Sequence, residues 1–265
     1  MRILSFLILV AVTIVALQIY RRNVTVSFIT GGTDAPPEKY KFFAGLHVRG
    51  FGLICGGTLI HPSVVLTAAH CRNFGMGNFP LFMFHVEIQG ESFSIKSAKT
   101  HPNFDVKQPQ LGNDLVLLYL SHPVPNPNTT IVKLNSDTAV PSLSNLLSVA
   151  GFGLTEPHWS ARPKRLQQVT DLLSVNCTQV PEPWFHDDNH DMICTRSGLS
   201  RANVCTFDSG SPLLLLEESE EMVQVGITSI GDAGTNPGCS TLYAGFTAIV
   251  HYYEWIQSNL PSRME

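Results

Sequence analysis

From Tyr40 onward the chain is written as short apolar stretches broken by glycine and proline, and this pattern limits the fold more than any other feature. Residues 44–48, 53–60, 64–68, 81–88 and 115–120 are rich in Val, Ile, Leu and Phe and are bounded by turn-forming residues. Several strands at this spacing point to an all-β barrel or sandwich. No convincing long helix is written before the end of the chain. There, residues 248–260 bring Ile249, Tyr253 (with Tyr252 beside it), Ile256 and Leu260 to helical spacing, so a C-terminal helix is expected to pack its aromatic face on the β-core.

A chain of 265 residues, 44% hydrophobic and 14% charged, is long enough to bury a sizeable core as one large lobe or two small ones. Its formal net charge of −4 points to neither nucleic acid nor an anionic membrane surface. The six cysteines contain no Cys-x-x-Cys pair, and no His-Glu-x-x-His occurs, which argues against a metal site; no cofactor motif is present either. An even cysteine count, with Asn-x-Ser/Thr sequons at Asn23, Asn128 and Asn176, fits an oxidising secretory compartment. Residues 3–17 are almost unbroken apolar sequence behind Arg2. Their length suits a signal peptide, with an uncleaved anchor as the alternative because Arg21 and Arg22 follow.

Chemistry enters at Cys205-Thr206-Phe207-Asp208-Ser209-Gly210-Ser211-Pro212, where a serine sits in a turn that feeds the apolar run 213–216. Asp-Ser-Gly is also ordinary turn sequence. A serine hydroxyl becomes an effective nucleophile when a base takes its proton and a third group orients that base. His70, in Leu66-Thr67-Ala68-Ala69-His70-Cys71, and Asp114, in Gly112-Asn113-Asp114-Leu115-Val116, supply the two residue types. With Phe28-Ile29-Thr30-Gly31-Gly32, these segments closely resemble the trypsin-like serine proteases, whose triad runs His, Asp, Ser along the chain. The resemblance extends from Ile29 to nearly the end.

The resemblance implies two six-stranded antiparallel β-barrels packed together, joined near residues 123–141, with a C-terminal helix. It implies a signal peptide or anchor over 1–20, a short propeptide over 21–28 and a protease domain over 29–265. His70, Asp114 and Ser209 would be the triad, and the backbone N–H groups of Phe207 and Ser209 the oxyanion hole. Cleavage before Ile29 would free an ammonium group to pair with Asp208. Asn203 would form the base of the substrate pocket, with Ser229, Ile230 and Gly231 as one wall and Thr241 on the other. The implied disulfides are Cys55–Cys71, Cys177–Cys194 and Cys205–Cys239. A further family bridge falls on Leu147 and Leu215, where an apolar contact is expected instead. Gly151-Phe152-Gly153 matches a family turn.

Several residues depart from the family. Phe207 stands where a glycine is usual, so a bulky side chain must either hold a glycine-type backbone or lose a donor, and it could narrow the leaving-group side. Ser211 replaces a second glycine and is expected to be tolerated. Phe28 precedes the activation site in place of a basic residue, and Thr30 replaces valine. Asn203 carries no charge, which argues against selection of Lys or Arg. The expected protein is a secreted, monomeric serine endopeptidase zymogen that acts on protein or peptide substrates after a neutral residue. Protease inhibitors are its other expected partners, and membrane attachment would require residues 3–19 to remain as an anchor. The alternative is a homologue with impaired catalysis that works by binding or inhibition. Residues 217–221 are expected to form a solvated hairpin tip and 162–165 an exposed loop.

Overall fold

The computed structural model describes residues 32–73, 80–125, 131–154, 163–180, 191–216, 221–231, 239 and 242–262. After the two-residue strand β1 (Thr33–Asp34), six strands form the first barrel: β2 (Phe43–Val48), β3 (Gly52–His61), β4 (Val64–Thr67), β5 (Phe84–Ile88), β6 (Glu91–Thr100) and β7 (Val116–Leu120). Pairing runs β2-β3-β4-β7-β6-β5 and closes through β5 onto β2. The short β8 (Lys133–Leu134) lies in the connection between barrels. The second barrel comprises β9 (Leu146–Gly151), β10 (Gln167–Val175), β11 (Met192–Arg196), β12 (Pro212–Leu216), β13 (Met222–Gly231) and β14 (Tyr243–Ala248). It closes because β9 pairs with both β10 and β12, while β1 pairs with β10 and β8 with β13.

The barrels follow from where the apolar residues fall. β4 and most of β7 are buried, and Leu66, Leu117 and Leu118 lie among the largest enclosed side chains, each stabilising the fold by roughly 1.5–3 kcal/mol. β6 is mostly polar and buries only Phe93 and Ile95 fully, with Ala98 half-buried against the same core. The stretch 81–88 is not strand throughout. Leu81–Met83 after Pro80 is a 3₁₀ turn, and the strand starts at Phe84.

The C-terminal helix α1 spans Ile249–Ser258, shorter at both ends than 248–260, and buries Ile249, Tyr252 and Ile256. Tyr252 is the enclosed tyrosine, whereas Tyr253 is half-buried. The helix leaves the second barrel from β14 yet shares one core with the first barrel, and the Tyr119 hydroxyl caps it by donating to Asn259 O at 2.8 Å. All three implied disulfides are formed. Leu215 stands opposite Leu147 in the β12–β9 register, and both join the second-barrel core.

Candidate active site

His70 lies in the 3₁₀ turn Ala69–Asn73 that follows β4, and Cys71 ties that turn to β3 through Cys55. Asp114 sits just before β7 with no exposed surface. A buried carboxylate needs several donors, and Asp114 has them. The His70 backbone N–H donates to Oδ1 at 2.9 Å, and His70 Nδ1 lies 2.7 Å from Oδ2. The Ser229 hydroxyl donates to Oδ2 at 2.6 Å. Burial alone would depress the His70 pKa, but the Asp114 charge and hydrogen bond outweigh it and hold the imidazole above its ordinary value. Burial would likewise raise Asp114, and the same contacts with His70 and Ser229 bring it below the usual carboxylate range. The His70 side chain keeps 25% of its surface exposed.

Ser209 is half-buried in a turn bonded to both barrels. Its carbonyl accepts from Gly56 N–H on β3 at 2.8 Å, and Gly210 N–H donates to Thr228 O on β13 at 2.8 Å. Ser211 is enclosed, its carbonyl accepting from both the backbone N–H and the hydroxyl of Thr228 at 2.9 Å. The serine turn is thereby seated where the barrels meet.

Phe207 keeps the positive φ of 79° that a glycine adopts readily, and its side chain is 5% exposed. It packs with Leu53, Leu154 and the Cys205–Cys239 bridge, against Phe152.

Asp208 is fully enclosed. Its Oδ1 accepts from Gly153 N–H at 2.7 Å and Oδ2 from Cys205 N–H at 2.9 Å. Burial pushes its pKa up to about 7 against these two bonds. The turn Gly151-Phe152-Gly153 is a cradle for this carboxyl, since a β-carbon at either glycine would collide with it. That role was not legible in the sequence, which offered only a turn.

Asn203 is fully buried; Oδ1 accepts from Val204 N–H at 2.9 Å, and Nδ2 has no partner among the described residues. Ser229, expected only as a pocket wall, is also a partner of Asp114. Gly231 lies exposed at the end of β13. Asn176, an exposed sequon residue, caps a 3₁₀ turn by accepting from Thr178 N–H. Ile29, Thr241, Asn23, Asn128 and residues 3–19 lie outside the described residues. Among the described residues no helix is long and apolar enough to cross a membrane. Cys55, His70 and Cys71 form the one close group of metal-type ligands among the described residues, and the disulfide leaves neither cysteine a thiolate.

Two closed β-barrels with a buried aspartate bonded to a histidine between them define a chymotrypsin-fold protein. The family model described as Trypsin matches residues 29–256. Human granzyme M is 35% identical over 192 residues, covering 70% of this chain and 73% of that protein. Human kallikrein-2 is 30% identical over 247 residues, covering 88% of this chain and 90% of that protein. Human kallikrein-4 is 28% identical over 243 residues, covering 88% of each. The chain belongs to the trypsin family of serine proteases, a class of hydrolases that acts on protein and peptide substrates.

Proposed function

We propose that this protein is a secreted serine endopeptidase made as a zymogen, with His70, Asp114 and Ser209 as its triad. The observation that carries the reading is the 2.7 Å contact between His70 Nδ1 and the buried Asp114, itself held by Ser229. With Nδ1 committed to Asp114, the other ring nitrogen is the one free to accept a proton. In the proposed mechanism it takes the Ser209 proton as the hydroxyl attacks a peptide carbonyl, then returns it to the leaving amine, while Asp114 stabilises the imidazolium. The oxyanion would be met by the N–H groups of Phe207 and Ser209, one such donor being worth roughly 3–4 kcal/mol. A binding-only reading would rest on Phe207, and its φ of 79° instead supports a retained donor.

Residues 1–20 are the proposed signal peptide or anchor, 21–28 the propeptide and 29–265 the protease domain. Cleavage after Phe28 calls for an activator that accepts an aromatic residue. The freed Ile29 ammonium would pair with Asp208. Asn203 at the pocket base supports cleavage after a neutral side chain, and a library preference for Lys or Arg would overturn that assignment.

The test is labelling by a fluorophosphonate before and after cleavage at Phe28-Ile29, with Ser209→Ala as control. Labelling is expected to appear on cleavage and vanish in the variant. A folded, cleaved protein that fails to label would refute the triad.

A further inference from the structure

We infer that Tyr252, on the C-terminal helix, is a positioning residue for the Asp114–His70 pair and acts through the backbone of Asn113. The inference rests on the triad reading above.

Asp114 is delivered by an unusual turn. Gly112 has φ 85° and Asn113 has φ 57°, so two successive residues occupy the left-handed region immediately before the buried carboxylate. Asparagine tolerates that conformation better than most residues, and a contact to its N–H fixes the peptide in it. The contact here is the Tyr252 hydroxyl, which accepts from Asn113 N–H at 2.7 Å and donates to Asp191 Oδ2 at 3.2 Å. A β-carbon on Gly112 would lie 3.2 Å from the same hydroxyl oxygen and 3.3 Å from Asp191 Cβ, so this backbone is pressed onto the tyrosine–aspartate pair.

Both partners are anchored. Asp191 O accepts from Ala248 N–H at 2.8 Å, at the start of the helix. The Tyr252 ring is 4% exposed and meets the edge of His101 at a centroid separation of 5.1 Å, while His101 also packs on Trp255 at 5.0 Å. On the other side of the turn, Asp114 O takes a 3.4 Å bond from the Thr247 hydroxyl. The carboxylate is therefore aimed by its own donors, and the peptide that carries it is aimed by Tyr252. Other titratable groups facing the pair are His101, edge-on to the ring, and His251, whose Nδ1 is 3.8 Å from Asp191 Oδ1.

Positioning of this kind must hold within about half an ångström, and small misplacements lower turnover steeply. The variant Tyr252→Phe keeps the ring and its packing but removes the acceptor for Asn113 N–H. In the cleaved protein, kcat and the rate of fluorophosphonate inactivation are expected to fall together by about 10-fold, with KM changed by less than about twofold. The acid limb of the pH profile should also move, because the imidazole loses part of its carboxylate partnership. Asp191→Asn, which still offers an oxygen to the tyrosine hydroxyl, is expected to retain wild-type turnover. Thermal unfolding of each variant separates a fold defect from mispositioning. A Tyr252→Phe protein with wild-type kcat, inactivation rate and acid limb overturns the inference whatever its unfolding temperature. A lowered unfolding temperature with unchanged kinetics does the same. If cleaved wild-type protein itself fails to label, it is the triad reading that falls.

Discussion

At the scale of single residues, Phe207 sets two opposing effects against each other. A left-handed backbone costs a bulky residue about 1–3 kcal/mol. Its side chain, 5% exposed among Leu53, Leu154 and the Cys205–Cys239 bridge, returns more, since truncating a buried phenylalanine costs about 3–5 kcal/mol. Packing wins, so the glycine-type conformation survives without glycine. Phe207→Gly is therefore expected to destabilise the protein by about 1–3 kcal/mol in urea unfolding. The same change should raise turnover and broaden inhibitor sensitivity by opening the leaving-group side. An unchanged unfolding midpoint would mean that the ring contributes no packing energy. Unchanged turnover would mean that it does not obstruct substrate.

Among the elements, β9 and β12 offer the sharpest test of register. Leu147 and Leu215 are cross-strand partners at the place where the sequence resemblance implies a bridge. Directly opposed residues of antiparallel strands have Cα atoms about 4.5–5.5 Å apart, a separation that a disulfide spans. The double variant Leu147→Cys, Leu215→Cys should therefore oxidise spontaneously and show no free thiol after unfolding. A bridge closing so long a loop is worth about 2–4 kcal/mol, and losing the buried Leu147 side chain alone costs about 2–5 kcal/mol, so no net gain in stability is expected and the thiol count is the readout. Persistent free thiols would mean that the strands pair in another register. Strands such as β4 and β7 were legible because their apolar runs are dense, and the closing helix because its periodicity is long. β6 was not, since only Phe93 and Ile95 among its ten residues turn fully inward. Nor did periodicity decide between two adjacent tyrosines, and the difference matters because Tyr252 holds Asn113 while Tyr253 does not. The Ser229 bond to Asp114 spans 115 positions, and no local pattern carries such a contact.

For the whole molecule, the decisive charge is that of Asp208, enclosed between the serine turn and the Gly151-Phe152-Gly153 cradle. Held by two backbone donors among the described residues, its carboxyl is raised from 3.8 to about 7. A carboxyl raised on folding favours the folded state while protonated, and that contribution is lost as pH rises from the ordinary carboxylate range to about 7. The uncleaved protein in the Ser209→Ala background should therefore lose stability, by an amount on the order of a few kcal/mol, between pH 4 and pH 7. Asp208→Asn should remove that loss, so the difference between the two isolates this one group from the other carboxylates and histidines. Cleavage before Ile29 reverses the sign in the proposed switch. An ammonium partner lowers the Asp208 pKa, so stability is gained at neutral pH and is lost as pH falls through the depressed value. Urea unfolding of both forms at pH 4, 5.5 and 7.5 reads the reversal directly. If the cleaved and uncleaved proteins give parallel curves, Asp208 receives no new charge on cleavage, and the switch between Ile29 and the serine turn is absent.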